Sequence, residues 1–251
     1  MAGHSKWANI QHRKGAQDKK RAKLFTKLGR EIITAARLGG PDPDMNPRLR
    51  LAITKARKQS MPNDGIKKAI DKGAGGGEGE NYEEIRYEGY GPNGVAIIVD
   101  ALSDNRNRTV SELRTLFSKG GGNLGESGSV EFMFDRVGMI LIPSAAADAD
   151  TMFEVAVEAG ASNCETTDEF HEITTEPDDY GEVSAKLEEK FGELNENSGL
   201  AWNPNTQSDV DEETAQKVLN LVEGLEDSDD VQSVTHNMNV SDEIMEKLLA
   251  S

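Results

Sequence analysis

One cysteine, Cys164, occurs in 251 residues. A single thiol excludes an intramolecular disulfide and any Cys-x-x-Cys motif, and it fits a reducing, cytoplasmic setting. Histidine is scarce too. His4, His12, His171 and His236 are scattered, and no His/Cys pair has zinc spacing, so no metal site is expected. No run of about 18 apolar residues exists, so no membrane-spanning helix is expected. No apolar segment follows the start, which gives no sign of a secretory leader; the start is basic, but it is poor in serine and its charge continues into a helical pattern, unlike a transit peptide. Catalytic signatures are missing as well: there is no G-x-S-x-G, no H-E-x-x-H and no Walker loop. Cys164 and His171 could meet across a hairpin, but a lone cysteine is more often a small core hydrophobe. The many carboxylates read as a solvated surface. The expectation is a protein that is not an enzyme and uses no cofactor.

One motif needs removal before the rest is read. Gly89-Tyr90-Gly91-Pro92-Asn93-Gly94 matches G-x-G-x-x-G, yet a dinucleotide site needs those glycines to open a helix. Here VAIIVD follows, a strand by composition, so the stretch reads as a hairpin turn.

What the chain does have is charge, unevenly spread. Its formal net charge is -17. Residues 1–75 carry 18 Lys and Arg against 6 Asp and Glu, or +12, and the remainder carries 10 against 39, or -29. Such asymmetry points to a polyanionic partner for the basic part.

Apolar periodicity divides the chain. Residues 1–16 show no period and read as an arm. Asp18 to Leu38 places Leu24, Leu28, Ile32 and Ala36 on one helical face, ended by Gly39-Gly40-Pro41. Asn46-Pro47 starts a second helix, and Asn63 to Lys72 reads as a third. The linker GAGGGEGE follows. From residue 80 strands dominate, in the order β-β-α-β to residue 134, with SVEFMF as the last strand. Residues 136–204 read β-α-β-β-α-β, the ferredoxin-like pattern. A helix, a strand and a short helix from Asp242 end the chain. The economical arrangement returns residues 206–240 to the sheet of residues 80–134. The fold class is therefore α+β multidomain: a helical domain (1–75), an α/β domain (80–134 plus 206–240), an inserted ferredoxin-like domain (136–204) and a C-terminal helix (241–251).

The basic segment carries the functional signal. Lys6, Arg13, Lys14, Lys19, Lys20, Arg21, Lys23, Lys27 and Arg30 crowd the start. Arg48, Arg50, Lys55, Arg57 and Lys58 follow on the second helix, then Lys67, Lys68 and Lys72 on the third. Cations at phosphates release counterions and give affinity without sequence readout. Nucleic-acid binding is the expectation, with Lys19, Lys20, Arg21 and Lys23 central to it. Trp7 and Phe25 are the only aromatics among residues 1–75, which argues against a single-strand stacking platform. Trp7 either stacks on a base or packs on the helices. The second and third helices are also compatible with a helix-turn-helix. GGGNLGESGS at 120–129 reads either as a phosphate clamp built from amides or as a flexible connector, and Glu126 favours the connector.

Four stretches identify a family resemblance: AGHSKWANIQHRKGAQDKKRAKLFTKLGREI, MPNDGIKKAIDKG, YEGYGPNGVAIIVDALSDNRNRT and GGNLGESGSVEF. Together they resemble the YebC family over essentially the whole chain. The resemblance implies an N-terminal helical domain, a second α/β domain and a ferredoxin-like third domain inserted into the second. It implies a role in gene expression, either as a DNA-binding transcriptional regulator or as a ribosome-associated translation factor that grips rRNA or tRNA and eases stalled elongation. It places the basic motif at Lys6, Trp7, Arg13, Lys14, Lys19, Arg21 and Lys23, and adds Arg106 and Arg108 as a secondary contact. Asn105 and Asn107 are equally readable as helix caps. An acidic body could also meet basic proteins, such as ribosomal proteins or RNA polymerase subunits; no membrane partner is expected.

Overall fold

A computed structural model describes residues 17–75, 81–192, 194–195 and 197–250. The described residues fall into two compact units, one within residues 135–203 and the other within residues 17–134 with 204–250.

The larger unit starts with helix α1, Gln17–Gly39. Helix α2, Pro47–Lys58, and helix α3, Asn63–Gly73, both pack on it. The apolar spacing decides this. Leu28, Ile32, Ile33, Ala35 and Ala36 of α1 enclose one core with Leu49, Ala52, Ile53 and Ala56 of α2 and Ile66 and Ala69 of α3. Burying each large aliphatic side chain here stabilises by about 1.5–3 kcal/mol. Asn46 fixes the corner between α1 and α2. Its Oδ1 accepts from Leu49 N at 3.0 Å, and its Nδ2 donates to Ala35 O and Gly40 O, each at 2.8 Å. Gly73 lets α3 approach α1 closely: a Cβ there would lie 2.4 Å from Ile33 O.

Strand β1, Glu83–Tyr90, pairs antiparallel with β2, Ala96–Ser103, from Glu83↔Ser103 to Tyr90↔Ala96. The connecting Gly91–Val95 turn uses left-handed backbone at Asn93 (φ 57) and Gly94 (φ 75), so the glycine motif makes a hairpin. Helix α4, Arg106–Lys119, and strand β3, Asn123–Leu124, follow. The expected SVEFMF strand is not formed. Glu131–Met133 is a 3-10 turn, with Val130 and Phe134 buried and Phe132 67% exposed. Alternation survives there because a single tight turn also sends two of three apolar side chains inward.

Strand β4, Phe134–Pro143, enters the smaller unit, which continues with α5 (Ala149–Ala159), β5 (Asn163–Thr166), β6 (Phe170–Thr175), α6 (Tyr180–Phe191) and β7 (Gly199–Pro204). The sheet order β5-β6-β4-β7 is the ferredoxin-like arrangement. Ile140, Ile142 and Ile173 face Met152, Val155, Ala156, Ala159, Val183 and Leu187 of the helices. Gly160 ends α5 in left-handed backbone (φ 105).

The chain returns to the larger unit through β8 (Ser208–Asp209), α7 (Glu212–Glu226), β9 (Val231–His236), β10 (Met238–Asn239) and α8 (Asp242–Ala250). Strand β9 pairs antiparallel with β2, giving the sheet order β3-β1-β2-β9. The tail therefore completes the sheet begun at residue 83, and the ferredoxin-like domain is an insertion in it. The β9-to-β10 stretch is not one strand, because Asn237 leaves the sheet: its Oδ1 accepts from Ala96 N at 2.8 Å, and β10 pairs parallel with β8.

Candidate nucleic-acid interface

Lys6, Trp7, Arg13 and Lys14 lie outside the described residues, as do the side chains of Lys19 and Lys20 on α1. The other candidate cations fall into two sets.

The first set faces inward. Lys23, Lys27 and Arg30 are spaced four and three apart on α1, so they share one face. All three turn toward the end of α7 and the acidic segment after it. Lys23 Nζ donates to Asp227 O at 3.0 Å and pairs with Asp227 Oδ2 at 2.7 Å. Lys27 Nζ donates to Glu226 O. Arg30 Nη1 donates to Asp229 O at 2.8 Å, to Leu102 O at 3.2 Å and to Asp230 Oδ1 at 2.5 Å. A helix C-terminus carries unsatisfied carbonyls and a partial negative charge, and α7 adds Glu226 and Asp227 at that end. The cations answer both. The hydrogen bond that Lys23 donates to the Asp227 carboxylate raises its ammonium above the ordinary value. Burial lowers the Lys27 ammonium despite its acidic neighbours.

Asp230 is the centre of this contact, 3% exposed. Its Oδ2 accepts from Thr109 Oγ1 at 2.6 Å, Arg108 Nη2 at 2.8 Å and Ser103 Oγ at 3.3 Å. Burial opposes its charge, but the bonds from Thr109, Arg108 and Arg30 outweigh burial and hold its carboxyl below the usual range. Arg108, offered by the sequence as a secondary contact, is thus tied to Asp230 and Asp104. Arg106 is exposed. Asn105 caps α4, accepting from Arg108 N at 3.1 Å. Asn107 does not cap; it sits inside the helix, and its carbonyl accepts from Ser111. A cleft of about 600 Å³ opens beside Lys23, Arg30, Tyr82, Arg108 and Asp229. Its walls carry more carboxylates than cations, so the cleft does not invite a phosphate.

The second set faces outward. Arg57 and Lys58 at the end of α2, and Lys67, Lys68 and Lys72 on α3, are exposed. Burial of Ile66, Ala69 and Gly73 against α1 forces the lysines of α3 onto the opposite face. No ion pair among the described residues holds Arg57, Lys67 or Lys68. Arg21 on α1 is exposed as well, 5.6 Å from the Phe25 ring. On α2, Arg48 is instead consumed by Glu31 at 2.7 Å and by Glu84.

The 120–129 loop is no open phosphate clamp. Its end is already turned to an internal carboxylate: Glu88 Oε1 accepts from Gly128 N at 2.8 Å, and Oε2 accepts at 2.9 Å from the amides of the two residues after the loop, Val130 and Glu131. Burial disfavours the Glu88 charge, yet these three amides and Arg86 prevail and depress its pKa. A buried glutamate on β1 leaves no local signal in the sequence, so this use of the amides is not legible there. Nor does anything in the run EDSDD at 226–230 point to the cations of α1.

The remaining chemistry is quiet. His171 accepts from Thr166 Oγ1 at Nδ1 (2.8 Å), with Nε2–H directed at Ala147 O (3.0 Å). It opposes Thr166 on the sheet, whereas Cys164 opposes Ile173. Burial raises the Cys164 thiol. Among the described residues no cluster of His, Cys, Asp and Glu is placed to hold a metal, and no helix is long and apolar enough to cross a membrane.

Family models match in two adjoining blocks: the TACO1/YebC protein N-terminal domain over residues 5–76, and the TACO1/YebC second and third domain over residues 82–238. The chain belongs to the TACO1/YebC family. A solved structure, a conserved hypothetical protein from Aquifex aeolicus, is similar at 48% identity and a TM-score of 0.84, covering 95% of this chain and 98% of that one. The family's N-terminal block coincides with the basic helical domain, and its second and third domains with the acidic remainder.

Proposed function

We propose that this TACO1/YebC member is a nucleic-acid-binding regulator of gene expression whose helical domain grips the phosphate backbone. The observation that carries the reading is the outward cationic face of α2 and α3, with Arg57, Lys58, Lys67, Lys68 and Lys72 exposed in a domain of charge +12. Arg21 extends the same chemistry onto α1. The role needs no catalytic step and no cofactor. In the first reading the ligand is duplex DNA, and the outcome is transcriptional regulation with α3 as the helix presented to the groove. In the second the ligand is rRNA or tRNA, and the outcome is regulation of translation. One observation favours the second: α3 exposes lysines, which bind phosphates as point charges, and carries no arginine to grip a base edge in a bidentate way.

The test is a salt titration of binding to a DNA duplex and to a structured RNA of equal length, followed by anisotropy. Arg57→Ala/Lys67→Ala/Lys68→Ala should weaken both and lower the salt slope by about 3 on the DNA duplex. A slope equal to wild type on both ligands overturns the assignment of this face. Preference for DNA at matched salt selects transcription; preference for RNA selects translation.

A further inference from the structure

The ferredoxin-like unit carries a feature that nucleic-acid binding does not use. Helix α5 buries Met152, Val155, Ala156 and Ala159 against the sheet, which satisfies its inner face. Yet Phe153 and Val157, one turn apart, stand 52% and 54% exposed on its outer side. Ala149, a turn earlier, is exposed too. Exposed apolar residues scattered singly need no explanation, but an adjacent aromatic–aliphatic pair at helical spacing forms a stripe. Asp150, Glu154 and Glu158 run alongside it, and the helix holds no cation.

Charge then selects the occupant. Residues 135–203 contain 17 Asp and Glu against 3 Lys and Arg, a formal charge of -14. Of those three cations, Arg136 lies over the Trp202 ring at 4.9 Å, and Lys186 is paired with Glu182 while donating to Ala159 O at the end of α5. The field around the stripe is therefore strongly negative. Two copies of such a unit repel across a distance of about a Debye length, about 8 Å at physiological salt. Nucleic acid and anionic lipid are repelled likewise. A basic polypeptide is attracted, and its apolar side chains find Phe153 and Val157 waiting.

We propose that the outer face of α5 is a docking surface for a basic protein segment that presents apolar side chains, engaged in the helix-on-helix manner. The acids steer the partner and set the association rate; Phe153 is the anchor that sets how long it stays.

The probe is a short amphipathic Leu/Lys helical peptide, labelled and titrated with the full-length protein. A Lys/Ser peptide of equal charge serves as control. The Leu/Lys peptide should bind more tightly than the control. Phe153→Ser/Val157→Ser should lose about tenfold or more in affinity, because burying one large apolar side chain contributes about 1.5–3 kcal/mol. Both residues are exposed, so the melting temperature should stay at the wild-type value. Glu154→Lys/Glu158→Lys should weaken binding mainly at low salt. Equal binding of the two peptides, or wild-type affinity in the Ser double variant, overturns the proposal. A sedimentation shift abolished by the Ser variant would make the occupant a second copy, and tighter peptide binding after removal of residues 1–16 would make it the chain's own arm; either result also overturns it. None of these readouts uses nucleic acid, so this surface and the cationic face of α2 and α3 stand or fall separately.

Discussion

Single residues decide more here than their number suggests, and Asp230 decides most. It is buried, it accepts from Thr109 and from two arginines of different elements, and its charge is kept by those donors. Removing one partner of a buried pair leaves the others uncompensated, at a cost of about 3 kcal/mol. Asp230→Ala should therefore unfold at clearly lower denaturant concentration, read by circular dichroism, with an unchanged denaturant slope. The pH dependence follows from the sign of the shift. The folded carboxyl lies below its ordinary value of about 3.9, so on acidification the unfolded state takes up the proton first. The stabilisation is complete above that value and is lost as the pH falls from there through the folded value. Glu88 acts in the same direction, from about 4.3 downward. In a stability profile between pH 6 and 2, Asp230→Asn should start lower and fall less steeply than wild type. An acid limb as steep as wild type would mean that Asp230 titrates alike in both states.

The elements divide into those written locally and those that are not. Helix α1 was legible because Leu24, Leu28, Ile32 and Ala36 repeat at four, and β2 because Val95–Val99 is an unbroken apolar run; both patterns record burial directly. SVEFMF was not, since a 3-10 turn and a short strand can bury the same pair, Val130 and Phe134. The candidate site was half legible for a related reason. Charge on a helix is visible in sequence, but its direction is not. Nothing near Lys23, Lys27 or Arg30 announces the α7 terminus some 200 positions away, as the separations of 204, 199 and 200 residues show. This yields a separation of roles that can be measured. Lys23→Ala/Lys27→Ala should lower stability by about 1 kcal/mol, since these are helix-capping and partly exposed contacts, and lower Tm by about 2–4 °C. It should leave the salt slope of nucleic-acid binding near wild type. A slope falling by as much as in the Arg57/Lys67/Lys68 variant would mean that the α7 contact opens when nucleic acid binds.

At the scale of the whole molecule the insertion has a physical signature that makes it removable. The chain leaves the larger unit after Phe134 and returns at Pro204, and beside that crossing Asn205 N donates to Met133 O at 3.0 Å while its Nδ2 reaches Phe132 O at 3.4 Å. The two crossing strands are thus adjacent, and the loop closed by joining them is short, where closure entropy is small. The sheet β3-β1-β2-β9 draws both of its outer pairings from outside residues 135–203. Replacing residues 135–203 by two glycines should therefore leave a protein that melts cooperatively with the β-sheet intact. The electrostatic consequence is larger than the structural one. Taking -14 from -17 leaves -3, so the +12 helical domain then acts with far less long-range repulsion of a polyanion. The shortened protein should bind duplex DNA and structured RNA more tightly than the full chain at low salt, with the difference vanishing as the Debye length shrinks toward about 3 Å near 1 M. A persistent gain at high salt would locate the effect in a released contact rather than in the field. Equal affinity at every salt would show that the acidic insertion does not restrain the head at all, and would leave the α5 surface as the one role assigned to it.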